Sequence, residues 1–190
     1  MQFSSPSHPA VCTLASVSLP ACVDGDGSFN FERLQRLVEV VVANTDRCID
    51  VSRYPTDEIA SSARHTRALG VGVQGLADVF MMLEIPFTSM AARELNISIF
   101  ETIYYASLDA SCRLAEADGP YPAWGGSPAS RGLLQVDMWG AAPSSRHDFV
   151  GLRSRIARFG LRNSMITALM PTASMSKLLG NFESFEPYTR

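Results

Sequence analysis

The feature that most constrains the fold is the contrast between long helical patterns and a few short apolar runs. Asn30 and Ser89 each precede a long segment with apolar residues at three- and four-residue spacing, and the second segment stops at Gly119 and Pro120. Runs that predict strands are visible only at residues 11–19 and 165–169. Long helices alternating with short strands indicate the α/β class. Because two strands do not make an independently stable parallel sheet, the chain is interpreted as part of a larger α/β body.

The second apolar run leads into the stretch with the clearest functional signal, residues 170–176. Residues 165–169 predict a buried strand, Pro171 ends it, and Thr172 and Ser174 precede a short helical pattern. Such a junction leaves free backbone N–H groups at the positive end of the helix dipole, which favours an anion and above all a phosphate. The alternative is an ordinary helix cap by the Thr172 or Ser174 side chain. Taken alone, these residues favour the cap, because such caps are common.

A glycine-rich run at residues 69–75 has the spacing G-x-G-x-x-G, contributed by Gly70, Gly72 and Gly75. A dinucleotide-binding unit needs a strand before the glycines and an acidic residue after the next strand. Here a basic tetrapeptide at residues 64–67 precedes them and a long helical region follows. The sequence therefore favours a packing role, in which small residues let the helix at 76–84 approach a neighbouring backbone.

Composition excludes several classes of protein. The formal net charge is −3 and the arginines are scattered, so there is no nucleic-acid-binding footprint. The apolar runs are too short to span a membrane, and the first six residues lack the pattern of a signal peptide, so we expect no membrane association and a cytoplasmic location. Residues 1–8 are rich in Ser and Pro and are expected to be loose. Residues 121–143 predict a long surface connection anchored by Trp124, Met138 and Trp139.

The four cysteines and three histidines suggest no metal site, because there is no C-x-x-C pair and no zinc-type spacing. Most of the thiols are expected to be free in a reducing compartment. Cys22, Cys48 and Cys112 fall in helical or turn contexts and are predicted to be core residues. The histidines, each isolated from the others in the sequence, are His8, His65 and His147.

A set of ordered motifs resembles one family. The motifs are V-C-T-L-A-S at 11–16, G-V-G-V-Q-G-L-A-D at 70–78, I-F-E-T-I-Y-Y at 99–105, M-P-T-A-S at 170–174, E-S at 183–184 and E-P-Y-T at 186–189. Together they resemble the large, catalytic chain of class I ribonucleotide reductase of the eukaryotic and viral type. The likeness runs from about Pro9 to Tyr188 and covers only an internal stretch of that family's longer polypeptide.

The resemblance implies the fold class: α/β, a helix-rich partial fragment of a ten-stranded α/β barrel, with residues 9–190 forming the partial barrel domain. It implies reduction of ribonucleoside diphosphates by a thiyl radical mechanism. By position, Cys12 matches a redox cysteine that forms a disulfide with a second cysteine, and a dithiol supplies the two reducing equivalents needed. Thr172, Ala173, Ser174 and Met175 match the loop that holds the substrate diphosphate.

The family also implies partners outside this chain. These are a ribonucleoside diphosphate substrate, a small subunit that generates the radical, a thioredoxin-type reductant and a second large chain as dimer partner. The resemblance implies no cofactor held by this segment itself.

Three positions depart from the family pattern. Thr13 replaces an Asn, Met175 replaces a Thr and Phe182 replaces an Asn. Since a thioether cannot donate a hydrogen bond, although the backbone N–H of Met175 can, we expect phosphate binding to be weaker by roughly 1.5–3 kcal/mol, the worth of one charge-assisted bond.

The radical cysteine of the family lies in an Asn-x-Cys-x-Glu segment, and residues 1–11 contain no such pattern. A thiyl mechanism needs its thiols around one ribose, so this segment alone is expected to be inactive. We also expect the helix face carrying Leu95, Ile99 and Ile103 to meet water in isolation. The alternative hypotheses are a truncated, non-catalytic relative that binds phosphate or another subunit, and an unrelated dinucleotide enzyme that uses the glycine run.

Overall fold

A computed structural model describes residues 4–188 and shows a helix-rich α/β chain around a small parallel sheet. The first three residues of the segment expected to be loose, and Thr189 of the last family motif, lie outside the described residues. In chain order the elements are β1 (Thr13–Ser18), α1 (Phe31–Val51), α2 (Asp57–Thr66), β2 (Leu69–Gln74), α3 (Leu76–Met82), α4 (Met90–Asp118), α5 (Gln135–Met138), α6 (Phe149–Phe159) and α7 (Ala173–Leu179).

The two long helices start where the sequence predicts. The Asn30 side chain accepts a hydrogen bond from the backbone N–H of Arg33 at 2.8 Å, and the Ser89 hydroxyl accepts one from Ala92 at 3.1 Å. Helix α4 ends at Gly119, where a φ of +81° favours glycine.

Helices α1 and α4 pack against each other and form the centre of the core. Ile99 and Ile103 of α4 are 0% and 3% exposed, so the expectation that this face meets water is wrong. The reason is that α1 supplies the covering surface from within the same chain, with Leu34, Val38 and Val42 fully buried.

The sheet consists of β1 and β2 in parallel, paired from Thr13 with Leu69 to Ser18 with Gln74. The glycine run is therefore a strand, which the sequence reading did not predict. The predicted strand at 165–169 is only partly formed, with one parallel bridge between Val71 and Thr167. Backbone hydrogen bonds around Ile166 link this segment to β2. Residues 167–169 are nevertheless exposed. The reason is that, among the described residues, no further strand pairs with the outer edge of the segment.

A buried polar cluster holds the amino end of β2. Arg67, in the left-handed region at a φ of +45°, donates to the carboxylate of Asp46 at 3.0 Å and to that of Asp50 at 2.7 and 2.8 Å. Asn163, which is fully buried, donates to Asp46 at 2.8 Å. The cluster thus connects α1, the end of α2 and the segment that leads to the third strand position.

Several smaller expectations are corrected. Met138 and Trp139 are 53% and 74% exposed and do not anchor the connection, although Trp124 packs on the core. Cys48 is exposed on α1 rather than part of the core, whereas Cys22 and Cys112 are buried. The rings of His8 and His65, which are far apart in the sequence, lie 5.6 Å apart in the structure.

Within residues 4–188, no helix combines the length and apolar character that a membrane span requires. Over the same residues, no three His, Cys, Asp or Glu side chains gather into a possible metal-ligand set.

Candidate functional site

One face of the sheet carries small and polar residues together with the predicted redox cysteine. Because side chains alternate along a strand, Leu14, Ser16 and Ser18 of β1 share a face with Gly70, Gly72 and Gln74 of β2. Cys12, one residue before β1, lies on this face as well. We call it the glycine face. The opposite face carries Val17 and Val73, which belong to the buried core.

The glycines bring the third segment close to the sheet. A Cβ placed on Gly70 would lie 3.3 Å from the Cys12 sulfur and 3.2 Å from the Ala168 Cβ. A Cβ placed on Gly72 would lie 2.6 Å from both the Ala168 carbonyl oxygen and the Met170 sulfur. Gly70 and Gly72 are about 7 Å apart along a strand. The Cys12 thiol thus lies next to Gly70, and Met170 lies next to Gly72, the following residue of β2 on the same face. Met170 directly precedes the predicted diphosphate loop.

Cys12 is exposed as a residue, but its sulfur lies against the sheet, and burial raises the pKa of its thiol above the ordinary value of 9.0. The thiol is therefore protonated at neutral pH. Among the described residues Cys12 forms no disulfide. The other three cysteines are placed elsewhere, on α1, on α4 and in the turn after β1.

The loop at residues 171–176 leaves three consecutive amides unused. The N–H groups of Thr172, Ala173 and Ser174 donate no hydrogen bond within the described residues, whereas the Met175 amide donates to the Thr172 carbonyl at 2.8 Å. The Met175 amide, named above as a replacement donor, is thus occupied inside the loop. Ala173, Ser174 and Met175 are exposed, so this part of the loop is open to a ligand.

The hydroxyl of Thr172 does not cap the helix that follows. It accepts a hydrogen bond from the Ser184 amide at 3.0 Å, and Thr172 is only 6% exposed. The prediction that the Thr172 side chain caps the following helix is therefore wrong. Ala173 and Ser184 have φ angles of +39° and +48°, a region that side chains rarely adopt and that is found at binding sites.

Polar side chains that the sequence reading missed lie at the carboxyl ends of the strands. Asn181 donates to the Ser18 hydroxyl at 2.7 Å and to the Gln74 side-chain oxygen at 3.3 Å, and Gln74 donates to the Ser16 hydroxyl at 2.9 Å. Ligands of parallel α/β sheets bind at this end of the strands. The available signal was the pair of serines at i and i+2 in β1, Ser16 and Ser18. Asn181, which bonds to Ser18, is distant in the sequence.

The departures from the family pattern fall in different places. Thr13 belongs to the face of β1 opposite to Cys12, so its side chain does not border the thiol. Met175 is 55% exposed on the loop. The Phe182 ring stacks on Tyr188, with 4.3 Å between ring centres.

Comparison with known proteins gives a consistent picture. The family profile described as "Ribonucleotide reductase, barrel domain" matches residues 1–190. The chain is 50% identical to a ribonucleoside-diphosphate reductase large subunit of Caenorhabditis elegans over 189 residues, all of this chain and 24% of that protein. It is 50% identical to the large chain of Schizosaccharomyces pombe, of which it covers 23%, and 49% identical to the large subunit of Monkeypox virus, of which it covers 24%. The chain thus spans about a quarter of the length of these relatives.

Proposed function

This chain belongs to the ribonucleotide reductase barrel-domain family, and we propose that it forms the part of a reductase large chain that supplies one redox thiol and the diphosphate loop. The observation that carries the proposal is that Cys12 and the start of the loop lie on one face of one small sheet. The substrate class is the ribonucleoside diphosphates for which the relatives are named.

The proposed architecture is a segment of the ten-stranded α/β barrel. The sheet supports it because its strands are parallel and carry a helix after each carboxyl end. Within the described residues, the outer edges of β1 and of residues 165–168 have no strand beside them, and further strands of a longer chain would pair there.

Cys12 is proposed to be one of the two thiols that reduce the ribose. When the 2′-hydroxyl leaves as water and hydrogen replaces it, two electrons and two protons are consumed, and two thiols lose them as one disulfide forms. None of the other three cysteines lies on the glycine face, so the second thiol is proposed to come from outside this segment. A thioredoxin-type reductant would then restore the dithiol by thiol exchange.

The loop residues Thr172, Ala173, Ser174 and Met175 are proposed to hold the diphosphate. Three free amides in sequence and the exposed Ser174 hydroxyl supply donors that match phosphate oxygens. Met175 adds no side-chain donor, and its amide already bonds to Thr172. Binding is therefore proposed to depend on residues 172–174 more than on residue 175.

Activity is proposed to require the complete large chain, because residues 1–11 contain no Asn-x-Cys-x-Glu pattern and Cys12 is the only one of the four cysteines on the glycine face. We propose that the complete chain acts with a small radical-generating subunit and pairs with a second large chain, as the family resemblance implies. The test is reduction of a ribonucleoside diphosphate in the presence of small subunit and dithiol. The complete chain should turn over, and turnover by the 190-residue chain alone would favour a different mechanism.

The loop is tested by Ser174→Ala in the complete large chain. We expect the KM for the diphosphate to rise roughly ten- to a hundredfold, with a smaller fall in kcat, because a donor to a charged group contributes about 1.5–3 kcal/mol. Ser61→Ala, at an exposed position on α2, is the matched control and should change neither constant. An unchanged KM in Ser174→Ala would refute the role of the loop in binding phosphate.

A further inference from the structure

The carboxylate of Asp78, in the first turn of α3, accepts hydrogen bonds from residues that are distant in the sequence. One oxygen accepts a hydrogen bond from the Phe182 amide at 2.7 Å, and the other accepts one from the Tyr188 hydroxyl. An acidic residue in this position of a helix ordinarily interacts with the helix's own free N–H groups. Here both oxygens instead hold residues about a hundred positions later in the sequence.

The N-terminus of α3 holds the same stretch by its backbone. The Gly75 amide donates to the Phe182 carbonyl at 2.9 Å, and the Leu76 amide donates to the Ser184 carbonyl at 3.4 Å. We call residues 181–184 the bridging segment, because it lies between α3 and the diphosphate loop. The position of the bridging segment is therefore set by the Asp78 carboxylate and by the Gly75 and Leu76 amides. All three groups belong to the first turn of α3 or to the residue before it.

The bridging segment in turn determines how Thr172 is placed. The Ser184 amide donates to the Thr172 hydroxyl oxygen, so the hydroxyl proton points elsewhere, and within the described residues it donates to no other group. Ser184 is held at a positive φ and is 4% exposed, so its amide has little freedom to turn away. At the other end of the segment, Asn181 fixes the register to the sheet through Ser18 and Gln74.

We infer that Asp78 is a positioning residue for substrate binding, and that it acts through the bridging segment to fix the Thr172 hydroxyl toward the diphosphate. This inference rests on the proposed function of the loop. Asp78 does not itself contact the phosphate, and it would repel one if it did. The Phe182 amide and the Tyr188 hydroxyl occupy one carboxylate oxygen each, so the carboxylate of Asp78 is used on residues 182 and 188.

The test uses the complete large chain and three variants. Asp78→Ala removes both acceptors and should raise the KM for a ribonucleoside diphosphate about five- to tenfold while kcat changes less than about twofold, because the loop is displaced but the thiols are not. Asp78→Asn keeps a carbonyl oxygen for the Phe182 amide and should recover most of the affinity. Tyr188→Phe keeps the ring stacked on Phe182 and should raise KM by about two- to threefold.

Asp57→Asn is the matched control, since Asp57 also lies in the first turn of a helix but is exposed on α2. It should leave both constants unchanged. If Asp78→Ala does not fold, Tyr188→Phe decides the question, and an unchanged KM in Tyr188→Phe overturns the inference. Equal falls in kcat and affinity, or no recovery in Asp78→Asn, would show a merely structural role and also overturn it.

The result for Ser174→Ala separates the two proposals. If Ser174→Ala raises KM and Asp78→Ala does not, the loop binds phosphate but Asp78 does not position it. If Ser174→Ala leaves KM unchanged, the proposed function of the loop itself fails.

Discussion

Gly72→Ala tests whether the close approach of the third segment to β2 builds the site. A methyl group at this position would lie 2.6 Å from the Ala168 carbonyl oxygen, and Cβ atoms essentially never come within 3.0 Å of another heavy atom. The segment must therefore move by at least 0.4 Å, which is 3.0 minus 2.6. Two backbone hydrogen bonds resist that movement, from the Val71 amide to the Ile166 carbonyl at 2.7 Å and from the Ala168 amide to the Val71 carbonyl at 3.1 Å.

We expect Gly72→Ala to lower the free energy of unfolding by about 1–3 kcal/mol, the usual effect of adding a methyl group to a tightly packed site. The measurement is urea unfolding of the 190-residue chain, followed by circular dichroism. Gly25→Ala is the matched control, because a Cβ there meets nothing within 4 Å, and it should be neutral or slightly stabilising. If both variants unfold at the same urea concentration, the segment does not lie against Gly72 as described.

Two further predictions concern the buried cluster at the amino end of β2. Arg67→Met should lower the free energy of unfolding by about 3–5 kcal/mol, because the Asp46 carboxylate, 5% exposed, keeps only the longer ion pair with Arg162 at 3.7 Å. A loss below about 1 kcal/mol in urea unfolding would refute this. Hydrogen bonding to Arg67 lowers the pKa of Asp50, so its contribution to stability is present above the unfolded pKa of about 3.9 and is lost as the pH falls further. Asp50→Asn should therefore weaken the fall in stability between neutral pH and about pH 3, and an identical pH profile in the variant would contradict that assignment.

The helices could be predicted from the sequence because their signals are local. Asn30 and Ser89 each lie next to the amides that they cap, and the apolar spacing of α1 and α4 is visible within a few turns. Strand β2 was missed for the opposite reason. Gly70 and Gly72 have no side chains, so the alternation typical of a strand is not visible in the sequence. Only the structure shows that the absence of side chains lets Ala168 and Met170 pack against the strand.

The site was predictable in part. The junction after Pro171 indicated free amides, and the structure leaves those of residues 172–174 unused. The contacts of Asp78 and Asn181 join residues that are 104 to 163 positions apart, so no spacing rule reveals them. Likewise, no local pattern in α4 reveals that α1 covers its apolar face, because the two helices are separated in the sequence by α2, β2 and α3.

The most direct test of the central claim is whether a substrate diphosphate shields the Cys12 thiol. The rate at which iodoacetamide modifies Cys12 in the complete large chain would be measured by mass spectrometry at alkaline pH, because burial raises the pKa of this thiol. A ribonucleoside diphosphate should slow the modification severalfold, the same nucleoside without phosphate should have little effect, and exposed Cys48 should react equally in all samples. Equal rates at Cys12 with and without the diphosphate would show that the thiol and the loop do not share one site.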